Sequence, residues 1–330
     1  MSQAMSKSAS EAISAKPVLL QNGRLLPAME AELERDYEYL PLWQQPDREA
    51  YLHEHGGRAA ALATSAAVGA DEALLAALPN LQMIGSFGVG YDQLPTETIR
   101  KRGLKASYTP DVLNDCVADT AFLLLLDVAR GASAADRFVR RGEWLKTRFP
   151  LATSVAGKRL GIFGLGRIGK AIAQRALGFG MEIRYTNRNP VAGVEWKHEP
   201  SLVELARWAD FLVVAAAGGA DTRKLVNAEV MDALGPEGFL VNVARGTVVD
   251  EAALVRALVE RRIAGAGLDV FEDEPNVPEA LLALDNVVLL PHIASATHET
   301  RQKMGDLVLA NLRAHFAGKP LLTPIPGVSA

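Results

Sequence analysis

Apolar positions along the chain fall into short runs set apart by polar turns, and the spacing of these runs changes partway through. Strand-length apolar runs stand at Val18–Leu20, Ala60–Ala63, Gln82–Phe87 and Leu104–Ser107, with helical patterns over Asp71–Leu78 and Pro95–Lys101. This alternation predicts an α/β unit of roughly 90 residues starting near Pro17. The segment Asp119–Arg130 (DTAFLLLLDVAR) is apolar almost all round and predicts a buried helix. From Lys158 to Pro291 the rhythm becomes regular. Strand-length runs occur at Arg159–Phe163, Glu182–Tyr185, Phe211–Ala215, Phe239–Val243, Gly265–Val270 and Val287–Leu290. Amphipathic helices are expected between most of them, at Ile168–Gly178, Ser201–Arg207, Asn227–Leu234 and Asp250–Arg261. Strands so continuously apolar imply a parallel sheet covered on both faces. A last long helix is expected over Thr297–Ala317, and the spacing permits it to return to the N-terminal unit.

Length and composition narrow the class. The chain has 330 residues, which suits about two domains of ~100–200 residues. Apolar residues make up 49% and charged residues 22%, the balance of a soluble globular protein. The net charge of −4 argues against nucleic-acid binding driven by bulk charge. The longest apolar stretches, such as Phe211–Ala220, fall well short of the roughly 20 residues that span a bilayer. A single cysteine, Cys116, excludes an intramolecular disulfide and a Cys-rich zinc site, and fits the cytoplasm. No metal site, nucleic-acid partner or membrane anchor is expected. Residues 1–16 lack the apolar core of a secretory signal and are expected to be a disordered leader.

The first candidate chemistry is a glycine loop. Gly164-Leu165-Gly166-Arg167-Ile168-Gly169 follows a predicted strand and opens a predicted helix. In that context the first glycine permits a tight turn, the second admits a pyrophosphate, and the third lets helix pack closely on strand. A dinucleotide is therefore expected, with Gly164, Gly166, Arg167, Ile168 and Gly169 around it. At the end of the next strand an NAD enzyme would place an acidic residue. Here the chain reads Thr186-Asn187-Arg188, with no acidic residue between Glu182 and Glu195. An arginine at that point suits the 2′-phosphate of NADPH, so NADPH is expected to be preferred, with NADH possible.

Three downstream segments carry polar residues just past predicted strands, where open α/β sheets hold their ligands. They are Asn242–Gly246 (NVARG), Gly267–Pro275 (GLDVFEDEP) and Leu290–Ser295 (LPHIAS). Together Arg245, Glu274 and His292 suit reduction of a 2-keto acid. The arginine holds the carboxylate and polarises the carbonyl. The histidine donates a proton as hydride arrives, and the glutamate orients the imidazole and keeps it charged.

With these motifs the chain resembles the D-isomer-specific 2-hydroxyacid dehydrogenases from about residue 17 onward, and is most similar to their glyoxylate/hydroxypyruvate reductases. The resemblance implies two doubly wound parallel-sheet domains of α/β class, a Rossmann NAD(P)-binding domain (112–295) inserted into a flavodoxin-like substrate domain (17–111 and 296–330). It also implies that Arg245, Glu274 and His292 are catalytic and that Asp269 contacts the nicotinamide carboxamide. Substrate carboxylate would be received by the backbone at Val89 and Gly90, within Ser86–Asp92 (SFGVGYD). Two further segments match the reductases, Thr109–Leu113 (TPDVL) and Gly142–Trp144. The latter implies a homodimer in which Trp144 reaches the partner's active site. Two features depart from the pattern: Asp119 stands where the family often has glutamate, and Ala215–Ala220 (AAAGGA) lacks the usual proline. The alternatives are a D-lactate-type or phosphoglycerate-type dehydrogenase of the same family, or a dinucleotide-sensing protein without catalysis. Glutamate at 274 argues against the formate dehydrogenases of the family, which pair the histidine with glutamine.

Overall fold

The computed structural model describes residues 16–328. The expected leader lies outside the described residues except for Lys16. The chain divides into two compact units, one comprising the segments before Pro110 and after Met304, the other Pro110–Met304. The second boundary falls inside the last helix, His298–Phe316.

The first unit is built on β1 (Val18–Gln21), β2 (Glu38–Pro41), β3 (Ala61–Ser65), β4 (Met83–Phe87) and β5 (Lys105–Ser107). Their order is β2-β1-β3-β4-β5 with every pairing parallel, which is the flavodoxin-like arrangement. The residues of β3 and β4 are buried apart from Ser65, as the apolar runs predict. Three elements carry no such signal. The edge strand β2 is only four residues long and half-buried. The helix Arg48–His55 buries none of its residues, and Pro27–Asp36 buries only Met29 and Leu33, so neither shows an apolar stripe.

The second unit carries seven strands: β6 (Arg159–Phe163), β7 (Glu182–Thr186), β8 (Lys197–His198), β9 (Phe211–Val214), β10 (Phe239–Asn242), β11 (Gly265–Leu268) and β12 (Val287–Leu289). They pair in parallel in the order β12-β11-β10-β9-β6-β7-β8. The sequence runs outward one way from β6 to β8, then restarts at β9 on the other side of β6. That reversal is the Rossmann arrangement and puts a topological switch point at the C-terminal end of β6. Leu212, Val213 and Val214 of β9 and Leu240 of β10 are fully buried, so the centre of this sheet is the centre of the unit's core.

The helix expected at Asp119–Arg130 begins earlier, at Asn114, and ends at Gly131 in the left-handed region. It is not buried all round. Val117, Ala118, Ala121, Phe122, Leu124, Leu125, Val128 and Ala129 are buried, whereas Leu123 is 54% exposed. Its polar first turns gave no periodic signal because Asp115 and Asp119 face Arg175, at 3.2 and 2.7 Å. No helix among the described residues is long and apolar enough to cross a membrane.

Candidate active site

The glycine loop leaves β6 at the switch point, and the helix Arg167–Leu177 starts within it. Gly164 has φ +101°, and a Cβ there would stand 2.4 Å from the Ala216 nitrogen. At Gly169 a Cβ would stand 2.2 Å from the Gly164 carbonyl oxygen. The protein's own packing therefore demands both glycines. Gly166 is different: a Cβ would meet no atom within 4 Å. Open space above that residue, at a helix N-terminus, is what a pyrophosphate needs, so the loop fits a dinucleotide. The Arg167 guanidinium lies 2.8 Å from Asp111.

Of the three residues at the end of β7, two tie it to its surroundings. Thr186 is buried and its hydroxyl donates to the Glu199 carbonyl at 2.7 Å. Asn187 Oδ1 accepts the Leu165 N–H at 2.6 Å, tying the end of β7 to the glycine loop. Arg188 alone points outward, and its Nη2 donates to Asp221 Oδ2 at 2.6 Å. The acidic residue absent from the end of β7 thus arrives from the loop after β9, 33 positions away in sequence. Sequence spacing around the second strand gives no sign of it.

Arg245, Glu274 and His292 leave the same edge of three neighbouring strands, since Asn242, Leu268 and Leu289 pair in register across β10, β11 and β12. Glu274 Oε2 lies 2.7 Å from His292 Nδ1. Burial acts to raise the Glu274 pKa, but the hydrogen bond and charge of His292, the Phe271 N–H and the Arg245 charge outweigh it. The carboxyl is held below its ordinary value. Arg245 is thereby placed within electrostatic reach of the pair, and its Nη1 also donates to the Ala244 carbonyl at 2.9 Å. Gly246 lets these loops meet, because a Cβ there would fall 1.9 Å from the Phe271 carbonyl carbon.

Two supporting residues come from outside the expected catalytic set. Asn242, buried at 1% exposure, accepts the Ala244 N–H and donates to the Arg245 carbonyl, both at 3.0 Å. Asp269 is fully buried, and its oxygens accept the Ile293 N–H at 2.7 Å and the Ala294 N–H at 2.9 Å. Its backbone carbonyl accepts the His292 N–H at 2.9 Å. Burial raises the Asp269 pKa, partly offset by those two N–H groups and by His292. No motif spacing announces the bracing of the His292 loop, because it depends on where two backbone N–H groups point.

In the first unit, Val89 and Gly90 follow β4 in a loop pinned by Thr109, which accepts the Gly88 N–H at 3.0 Å through its hydroxyl. No hydrogen bond among the described residues engages the Val89 or Gly90 N–H. Trp144 lies in a short turn, Glu143–Leu145, and is 68% exposed, with Leu145 at 93%. Among the described residues no group of His, Cys, Asp and Glu could hold a metal ion.

Residues 122–294 match the family model for the D-isomer specific 2-hydroxyacid dehydrogenase NAD binding domain. The chain is 47% identical over 297 residues to glyoxylate/hydroxypyruvate reductase A of Arabidopsis thaliana, covering 90% of this chain and 95% of that protein. It is 48% identical, again over 297 residues and with the same coverage, to hydroxyphenylpyruvate reductase of Plectranthus scutellarioides. Among solved structures, it is similar to the NADPH-dependent glyoxylate/hydroxypyruvate reductase of Sinorhizobium meliloti in complex with NADP and malonate. There the TM-score is 0.88 at 43% identity, over 94% of this chain and 97% of that one.

The glycine geometry separates folding from binding. Gly169→Ala is expected to lower the melting temperature, because the crowding atom is backbone and cannot swing away. Gly166→Ala should melt as the native protein does while weakening dinucleotide binding at least about tenfold, ~1.4 kcal/mol. Thermal melts paired with titrations of NADPH check both. A Gly166→Ala protein with native affinity would remove the pyrophosphate from that space.

Proposed function

The chain belongs to the D-isomer-specific 2-hydroxyacid dehydrogenases, and we propose that within them it is an NADPH-preferring reductase of small 2-keto acids, taking glyoxylate to glycolate and hydroxypyruvate to D-glycerate. It is an NAD(P)-dependent oxidoreductase of that family. The observation that carries the reading is the 2.7 Å Glu274–His292 pair, beside Arg245 on the sheet edge from which the glycine loop also leaves.

Bound NADPH would supply the hydride. The protein's residues do the rest. With Nδ1 bonded to Glu274, the imidazole keeps Nε2 as the nitrogen that gives a proton to the carbonyl oxygen. The carboxylate stabilises the charged ring before transfer and fixes its orientation. Arg245 offers a planar fork that matches the substrate carboxylate and draws electron density from the adjacent carbonyl. We assign the Val89 and Gly90 N–H groups of the first unit to substrate binding, and the second unit to the cofactor. Glyoxylate and hydroxypyruvate are supported by the names of the Arabidopsis and Sinorhizobium relatives. NADPH is supported by Arg188 at the end of β7 and by the NADP complex of the latter. A cytoplasmic location is supported by a single cysteine, Cys116, held as a free thiol.

We further propose that the working enzyme is a homodimer. Trp144 and Leu145 stand largely uncovered on a single chain, and Leu151 nearby is fully exposed. Three large apolar side chains left in solvent within eight residues of sequence suit a protein contact.

Loss of nicotinamide absorbance is expected to be fastest for NADPH with glyoxylate or hydroxypyruvate, and slower for pyruvate, hydroxyphenylpyruvate and 3-phosphohydroxypyruvate. Turnover chiefly of another acid would keep the family and discard this substrate. His292→Ala should lower kcat by about 10²–10⁴, and a near-native kcat would remove the histidine from the chemistry. Glu274 is held below its ordinary value and so stays anionic through neutral pH. Replacing it by Gln removes that charge, so the alkaline limb of kcat/KM should move to lower pH; an unmoved limb would sink the pairing. Light scattering should give the mass of two chains for the native protein and of one for Leu145→Asp/Leu151→Asp. A native protein with the mass of one chain would overturn the dimer.

A further inference from the structure

The adenosine end of the cofactor loop holds a feature that the reading above does not use. Arg188 follows β7, and Asp221 lies in the turn Ala220–Thr222 that follows β9. In the sheet, β6 sits between those two strands and carries the glycine loop. The 2.6 Å contact between Arg188 and Asp221 therefore reaches across the strand on which the dinucleotide would lie.

Each partner is held by its own loop. The Thr222 hydroxyl donates to the Ala217 carbonyl at 2.7 Å, and the Lys224 N–H donates to the Thr247 carbonyl at 2.8 Å, which fixes the turn bearing Asp221. Arg188 is set by its neighbour Asn187, bonded to the glycine loop. Both charged side chains are about three-quarters exposed, at 77% and 76%. An ion pair so wet is easily exchanged for a stronger one, and a phosphate carries more charge and more acceptor oxygens than a carboxylate.

We propose that Asp221 is a specificity-determining residue for the cofactor: it occupies Arg188 in the place a 2′-phosphate would take, and so moderates the preference for NADPH over NADH. The proposal rests on the assignment of Arg188 to that phosphate. NADPH has to displace Asp221 from the guanidinium, after which phosphate and carboxylate repel each other. NADH brings no phosphate and leaves the pair closed.

The test is equilibrium binding of NADPH and of NADH to ligand-free protein, followed by nicotinamide fluorescence, for native protein, Asp221→Asn, Arg188→Ala and the double variant. Asp221→Asn is expected to tighten NADPH about three- to fivefold, the size of one exposed ion pair, with NADH little changed. High salt should shrink the gain. In the Arg188→Ala background the gain should be smaller, since there is no guanidinium left to compete for. Equal tightening of both cofactors, or an unchanged ratio, overturns the proposal while Arg188→Ala still collapses the NADPH preference. If Arg188→Ala leaves the ratio untouched, the phosphate assignment fails and this proposal fails with it. Melting curves confirm that each variant is folded.

Discussion

One buried carboxylate organises the C-terminal end of the second sheet. Asp269 has no contact with water, and burial drives its pKa up. A charge in that position is tolerable only if hydrogen-bond donors surround it. The Ile293 and Ala294 N–H groups supply two, and Arg301 on the last helix adds a facing positive charge. Those same bonds set the path of the chain through His292. The histidine sits at φ +54°, in the left-handed region that a side chain rarely adopts. Such a conformation costs of order 1–3 kcal/mol and persists only where its surroundings over-determine it. Here the His292 N–H donates to the Asp269 carbonyl, and the next two N–H groups donate to its carboxylate. The imidazole is thereby delivered to Glu274 by its backbone, before any side-chain preference acts.

The cofactor side of the sheet shows the opposite use of charge. A dinucleotide brings several negative charges to a protein whose own net charge is −4. The helix N-terminus at Gly166 offers partial positive charge without any side chain. The two arginines beside it, Arg167 and Arg188, are each paired with a carboxylate, Asp111 and Asp221. All four side chains are well exposed, so the pairs are weak and a phosphate can exchange into them. Positive charge is held near the loop with both guanidiniums already paired.

How much of this could be read from the sequence follows from what kind of interaction made each part. Strands buried on both faces, such as Phe211–Val214 and Phe239–Asn242, announce themselves by continuous apolar residues, and the inner strands of both sheets followed from their rhythm, whereas the edge strands β2 and β8 did not. The helix Arg48–His55 buries nothing, and so nothing in its spacing marks it. The glycine loop was legible because tight turns and close packing admit few residues. Even so, the sequence treats its three glycines alike, while the structure separates Gly164 and Gly169, crowded by backbone, from Gly166, facing open space. Long-range pairs were out of reach. Asp221 meets Arg188 only because β9 and β7 flank β6, and that order is a property of the folded sheet. Asn242 stands in a recognisable motif, but its two bonds around the Arg245 turn depend on a side-chain orientation that no spacing encodes.

The choice of glutamate at position 274 shows how geometry and charge act together. A glutamine could accept a hydrogen bond from Nδ1 equally well, and would orient the ring. It could not offset the charge of a protonated imidazole. Glu274 can, because the Phe271 N–H, the Arg245 charge and His292 itself hold it ionised against its own burial. The pair therefore sets an anion against a ring that can carry a proton, and that proton leaves when a stronger acceptor forms. A carbonyl oxygen taking on negative charge as hydride arrives is such an acceptor. With the substrate carboxylate assigned to it as proposed, Arg245 would act twice when removed, once on that carboxylate and once on the ionisation of Glu274. Its side chain should accordingly affect the pH dependence of the reaction as well as substrate binding, which separates it from an arginine that only anchors.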